Sequence, residues 1–156
     1  MVEFSNEALD KFQKTVAKYP QKEAALLPTL WLAQEEFGYI SRDVMLYIGK
    51  LLDIPPSKVY SVASFYTMFK KEPTGKYLIQ VCRTLPCQLR GAEDVTNYIS
   101  EKLGIGIGET TTDNKFTLIE VECLGSCGSA PMLQLNNDYH ENLTKSEINK
   151  IIDNLS

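Results

Sequence analysis

Cys82, Cys87, Cys123 and Cys127 are the only cysteines among 156 residues, and they form two clips: C-x4-C, thirty-five residues, then C-x3-C. Clips so far apart can serve one centre only if the chain between them folds back on itself, so this spacing constrains the fold more than any other feature. A chain of this length buries a real core without disulfides or a metal, which leaves the cysteines free for another purpose. The hydrophobic fraction of 44% and charged fraction of 23% are those of a soluble globular protein, sized for one ordinary domain or a small domain with a helical appendage.

The formal net charge of −4 argues against nucleic acid or an anionic membrane surface as the main partner. Residues 1–74 carry nine Lys+Arg and nine Asp+Glu, and residues 75–156 carry seven and eleven, so the whole excess lies in the cysteine-bearing half. The opening Met-Val-Glu-Phe-Ser-Asn-Glu has neither the basic-then-apolar order of a signal peptide nor the Arg-rich character of a transit peptide. The longest mostly apolar stretch, Ala24 to Ala33, is too short to span a bilayer and contains Pro28 and Thr29. The expectation is an intracellular protein, where a reducing environment favours metal ligands or redox groups over structural disulfides.

Hydrophobic periodicity divides the chain. Phe4, Ala8, Leu9, Phe12 and Val16 share one helical face behind a cap at Ser5 or Asn6, and Pro20 stops the run. Leu26, Leu27, Leu30, Trp31 and Phe37 predict a second helix ending at Gly38, one that starts or kinks at Pro28. Ser41 caps a third with Val44, Ile48, Leu51 and Leu52 inward, and Pro55-Pro56 opens a fourth with Val59, Val62 and Phe65 on one side. These predict an N-terminal four-helix bundle over residues 1–73, ending at Glu72-Pro73-Thr74-Gly75.

From residue 74 to 156 the pattern turns to short β runs between helices. Tyr77 to Val81 is a strand leading into Cys82, Gly91 to Leu103 a helix burying Val95, Ile99 and Leu103, and Phe116 to Val121 a strand leading into Cys123. Met132 to Leu135 and Asp138 to Glu141 read as a hairpin turning at Asn136-Asn137. Thr144 caps a last helix containing Ile148, Ile151, Ile152 and Leu155, with Glu147 at the capping-box position. The order β-α-β-β-β-α predicts a small α/β sandwich of thioredoxin-like type, making the whole an α+β chain. Both cysteine clips follow strand ends, and neighbouring parallel strands would set the two loops side by side.

Three chemistries compete for such a constellation. A [2Fe–2S] cluster takes four thiolates, two per iron, so Cys82 with Cys87 and Cys123 with Cys127 could each hold one iron. Structural zinc usually takes tight knuckles and often a histidine, and the only histidine, His140, lies well past the fourth cysteine. Thiol redox chemistry lacks its usual C-x2-C. Gly91, Gly125 and Gly128 allow close backbone approach to sulfur, and the helix from Gly91 aims its positive end at the cluster loop. Glu120 and Glu122 are expected to lower the reduction potential of a cluster nearby.

VCRTLPCQLRGAEDV, GETTTDNKFTLIEVECLGSCGSAPMLQLN, ALLPTLWLAQEEFGYIS and IPPSKVYSVASFYTMF resemble the thioredoxin-like [2Fe–2S] subunit of respiratory NADH:quinone oxidoreductase (complex I), the E subunit of bacteria. The likeness runs from about residue 20 to the C-terminus and includes all four cysteines, the Gly-Ala after the second and the Ala-Pro-Met after the fourth. It implies one [2Fe–2S] cluster on Cys82, Cys87, Cys123 and Cys127, serving electron transfer with no bond-making catalysis by this chain. It implies a partner flavoprotein subunit that binds NADH and FMN, other peripheral-arm subunits, and a helical N-terminal half that clasps the partner. The cluster of that family lies beyond the flavin from the main iron–sulfur chain and is taken to exchange an electron with it. The implied location is cytoplasmic, peripheral on the inner face of a bacterial membrane through the complex. An equivalent subunit of an NAD-linked hydrogenase or formate dehydrogenase shares this module, and a zinc-stabilised interaction module is the alternative without redox chemistry.

Other features carry blander readings. Gly104-Ile-Gly106-Ile-Gly108 follows a helix rather than opening one and lacks the dinucleotide register, so it reads as a turn. His140 reads as a surface hairpin residue. Trp31, Phe65, Tyr66 and Phe69 read as core or subunit interface, and no nucleophile has a convincing base.

Overall fold

The computed structural model describes residues 2–155 as a mixed α/β chain, with seven α-helices and a four-stranded sheet among them. It divides into two compact units, residues 1–73 and 74–156.

The first unit is helical: α1 (Asn6–Val16), α2 (Leu26–Phe37), α3 (Arg42–Leu52) and α4 (Pro56–Phe65). Ser5 Oγ accepts the N–H of Ala8 and Ser41 Oγ that of Val44, each at 3.2 Å, so two helices start at side chains that satisfy their free donors. Pro28 falls in the first turn of α2, after a 3-10 turn at Lys22–Ala25. Helical N–H groups there have no partner to lose, and the helix begins two residues before that proline. Leu30, Ile40, Ile48, Leu52, Val59 and Ala63 form the core with Ala8 and Phe12. Gln34 Nε2 donates to Met68 O at 3.1 Å and its Oε1 accepts Lys70 N at 2.6 Å, tying the segment after α4 to α2.

Two expected inward faces differ. Phe65, the last residue of α4, is 77% exposed, because the chain turns extended at Tyr66 and carries its ring outward, edge-on to Tyr66 at 5.0 Å. In α2 the buried stripe is Leu26, Thr29, Leu30 and Ala33, which leaves Leu27 and Trp31 at its border.

The second unit holds β1 (Tyr77–Cys82), α5 (Leu85–Leu89), α6 (Ala92–Leu103), β2 (Phe116–Val121), β3 (Leu133–Leu135), β4 (Asp138–His140) and α7 (Lys145–Asp153). Sheet order is β2-β1-β3-β4. β1 and β2 are parallel from Tyr77↔Phe116 to Cys82↔Val121, while β3 runs antiparallel to β1 and β4 to β3. Ile79, Val81, Leu118 and Leu133 pack with Ile99 of α6 and with Ile148 and Ile152 of α7. Asn136 takes the left-handed turn position (φ 53°) and its Oδ1 accepts Leu78 N at 2.9 Å. Thr144 Oγ1 accepts Glu147 N at 3.3 Å, but the Glu147 carboxylate pairs with Lys150 at 2.6 Å instead of completing a capping box. The one-turn helix α5 has no hydrophobic repeat to announce it. No helix of the described residues is long and apolar enough to cross a membrane.

Gly75 marks the tightest approach in this unit. A Cβ there would lie 2.9 Å from backbone atoms of Lys115 and Phe116, at the first step of β2. Its N–H donates to Thr117 Oγ1 at 2.7 Å. Gly75→Ala is therefore expected to cost ~1–3 kcal/mol, as overpacking against a backbone that cannot yield. A urea midpoint equal to the parent's would show that the strand shifts freely.

Candidate metal centre

The cysteine loops leave the sheet at the same end, where the parallel β1 and β2 finish. Cys82 is the last residue of β1, its N–H donating to Met132 O at 3.2 Å, and Arg83 N donates to Val121 O at 2.9 Å. Cys87 lies in α5, whose first turn carries Pro86. Cys123 follows β2 by two residues, and Cys127 opens a 3-10 turn, Cys127–Ser129.

Burial separates inner from outer thiols. Cys82 and Cys87 are 2% and 1% exposed and share an apolar cluster with Ala92, Ala130 and Met132, with Leu124 against it. Cys123 and Cys127 are exposed, and all four thiols are free. Cys82 Sγ donates to Glu122 O at 3.1 Å and lies 3.3 Å from Thr84 Oγ1, so the β1 cysteine touches the residue just before Cys123. Cys87 lies close enough to Cys82 and Cys127 for both to bear on its acidity. Three of the four thiols thus interact directly or electrostatically, and Cys123 sits one residue from the carbonyl that holds Cys82. Among the described residues no three His, Cys, Asp or Glu side chains converge on one ion.

Main-chain donors surround the inner pair. Burial pushes the Cys82 thiol up, but the hydroxyl and N–H of Thr84, the N–H of Leu124 and the Cys87 thiol outweigh it and hold the group below its ordinary value. For Cys87, burial, the hydrogen bond to Cys82 and the Cys82 charge push the thiol up to about 11, with the Met132 N–H acting against them. N–H groups that stabilise a lone thiolate are the same kind that stabilise cluster sulfur.

The supports come from distant elements. α6 begins beside the inner thiols: Gly91, its left-handed cap (φ 92°), precedes buried Ala92. Arg90 Nε donates to Ala130 O at 2.7 Å, joining the α5–α6 corner to the loop before β3. Tyr139 OH donates to Leu124 O at 2.9 Å; Ser129 Oγ donates to Glu141 Oε1 at 2.6 Å, and Ser126 Oγ bonds the same oxygen. The β3–β4 hairpin thereby braces the loop that carries the outer cysteines. Gly125 needs its glycine for a φ of 81°, whereas a Cβ on Gly128 would meet nothing within 4 Å, so close backbone packing does not explain Gly128.

Sequence reasoning missed Tyr139, Glu141, Thr84, Arg90 and Arg83. It read Glu120 and Glu122 as added negative charge that lowers the potential if they face the cluster, without their partner. Arg83 instead reaches Glu122 at 2.9 Å and Glu120 at 3.9 Å. The glycine-rich turn is closed to phosphate: Gly106 N donates to Glu109 Oε2 at 2.7 Å and Gly108 N to Leu118 O at 2.7 Å. His140 lies in β4, paired with Leu133.

In cluster-free protein, iodoacetamide is expected to label Cys123 and Cys127 first, with Cys82 and Cys87 shielded. Because an acid stays protonated below its pKa, Cys87 should remain inert at mildly alkaline pH and react only as the pH climbs toward about 11. Peptide mapping by mass spectrometry reads the order; equal rates at all four would contradict the inner and outer division.

The profile of the thioredoxin-like [2Fe–2S] ferredoxin family matches residues 12–156. The E subunit of NADH-quinone oxidoreductase from Rickettsia conorii is 45% identical over 155 residues, covering 97% of this chain and 93% of that protein. The mitochondrial NADH dehydrogenase [ubiquinone] flavoprotein 2 of Dictyostelium discoideum is 45% identical over 156 residues, covering 98% of this chain and 63% of that protein. The crystal structure of an NAD+-reducing [NiFe]-hydrogenase in the H2-reduced state superposes with a TM-score of 0.74 at 21% identity, over 84% of this chain and 22% of that one. At that identity the hydrogenase speaks to the fold alone, and this chain spans about a fifth of its length.

Proposed function

This chain belongs to the thioredoxin-like [2Fe–2S] ferredoxin family, and from that premise we propose that it is the electron-transfer iron–sulfur subunit of an NADH:quinone oxidoreductase. The observation that carries the reading is the pairing of four thiols at the ends of two parallel strands, in a chain alike nearly end to end with the Rickettsia protein. Cys82, Cys87, Cys123 and Cys127 would hold one [2Fe–2S] cluster, the first two as the inner pair and the last two as the outer. The donor set fits: four thiols, no competing histidine or carboxylate among them, and N–H groups of Thr84, Leu124 and Met132 aimed at the inner sulfurs. When bound, such a cluster supplies storage of one electron. The chain's own part is to exclude water from the inner pair, to donate hydrogen bonds to sulfur, and to present the outer pair at the surface.

NADH and FMN belong, in this reading, to a partner flavoprotein with which this chain exchanges electrons. Residues 1–73, read as a four-helix bundle, are the partner-docking domain, and residues 74–156 the cluster domain. Leu27, Trp31, Phe65 and Tyr66 on the helical unit and Leu85 and Leu89 beside Cys87 are large apolar side chains left to solvent, as a subunit interface requires. The assembly, in this reading, sits on the cytoplasmic face of the membrane. An NAD-linked hydrogenase or formate dehydrogenase subunit is the second reading. The likeness to the hydrogenase bears on the fold alone, and the 45% identity to the Rickettsia protein favours the first reading. Co-purifying partners separate the two.

The first test is absorption and low-temperature EPR of anaerobically purified protein, with metal and sulfide assayed on the same sample. A brown protein with roughly two irons and two labile sulfides per chain, EPR-silent until reduced by one electron, is expected. Cys123→Ser should then abolish or strongly destabilise that signal. A colourless protein holding zinc after reconstitution with iron and sulfide would replace the redox reading with a structural metal site.

A further inference from the structure

Arg83 occupies a position that no metal ligand explains. It follows Cys82 at the end of β1, and its guanidinium crosses to the neighbouring strand end. Its Nη2 lies 2.9 Å from Glu122 Oε1 and its Nε donates to the same oxygen at 3.1 Å, a two-nitrogen grip on one carboxylate. Its Nη1 lies 3.9 Å from Glu120 Oε2. Its own N–H donates to Val121 O at 2.9 Å, between the two acids. Glu122 in turn offers its main-chain oxygen to Cys82 Sγ at 3.1 Å and precedes Cys123. One cation and two anions therefore sit where the two cysteine loops leave the sheet. Three side chains carry a net charge of −1 there, in place of the −2 that the acids alone would bring.

We infer that Arg83 raises the reduction potential of this centre by offsetting Glu120 and Glu122. The inference rests on the cluster reading above. Reduction adds one negative charge, so a cation beside the ligands favours the reduced state and an uncompensated carboxylate opposes it. Glu120 is the better shielded acid, at 22% side-chain exposure against 71% for Glu122, so its field is the less screened by solvent. Arg83 reaches both, and through Glu122 it also ties the β1 end to the loop carrying Cys123. Its role is positioning and electrostatic: it donates nothing to sulfur in this arrangement.

The test is an EPR-monitored redox titration of the full-length, cluster-loaded protein with Arg83→Gln, Arg83→Lys and Glu122→Gln, at low and high salt. Arg83→Gln should move the midpoint potential down, Glu122→Gln should move it up, and Arg83→Lys should stay near the parent. The g-values and visible spectrum should be unchanged, and the shifts should shrink at high salt because the Arg83 and Glu122 side chains are exposed. If Arg83→Gln fails to hold a cluster, Arg83→Lys and Glu122→Gln still decide the matter. An unmoved potential in Arg83→Gln or in Glu122→Gln, or shifts of the same sign in the two, would overturn the inference while leaving the cluster intact. A parent protein with no [2Fe–2S] signal would sink the cluster reading, and this inference with it.

Discussion

The parallel pairing of β1 with β2 is the constraint on which the cysteine region depends. A parallel ladder sends both chains off the same end of the sheet, and the register ends at Cys82↔Val121. An antiparallel pair would have placed the two cysteine loops at opposite ends. The return from the end of β1 to the start of β2 must then cross a face of the sheet, and α6 makes that crossing while burying Val95 and Ile99. Pairing these two strands therefore brings the starts of both cysteine loops to one end of the sheet.

Around that ladder the site is built in layers. Apolar side chains, Ala92, Ala130 and Met132, cover Cys82 and Cys87, so their sulfurs meet protein dipoles rather than water. The two inner thiols are pushed apart in acidity by a shared hydrogen bond and unequal donors, which is the signature of groups that behave as a pair. Outside this layer Arg83 balances two acids, and Arg90 secures the corner from which α6 starts. Polar contacts thus control charge and position, while hydrophobic packing controls access.

Much of the local structure is legible in the residues because its causes are local. The caps at Ser5, Ser41 and Thr144 each find the donor that their spacing implies, and the strands leading into Cys82 and Cys123 sit where the β runs place them. What escapes notice is set by tertiary contact. Phe65 fits an inward helical face but ends outside because the helix stops with it. The short α5 has too few residues for any period, and lies between the end of β1 and the start of α6 with Cys87 buried in it. The C-x4-C and C-x3-C spacings name candidate ligands, yet cannot say which pair is inner, since shielding comes from residues far along the chain. Arg83–Glu122, Tyr139–Leu124 and Glu141–Ser129 join segments with no shared motif, so no pattern marks them.

The brace from Tyr139 and Glu141 has a dynamic corollary. β4 is an edge strand of three residues, held on one side only, and such edges are where native proteins open first. Because the hydroxyl of Tyr139 and the carboxylate of Glu141 hold the loop around Leu124, Ser126 and Ser129, that loop cannot swing away while the hairpin stays docked. Loss of β4 from the sheet edge would remove both bonds, so the loop bearing Cys123 and Cys127 would lose its tether to the hairpin in the same step.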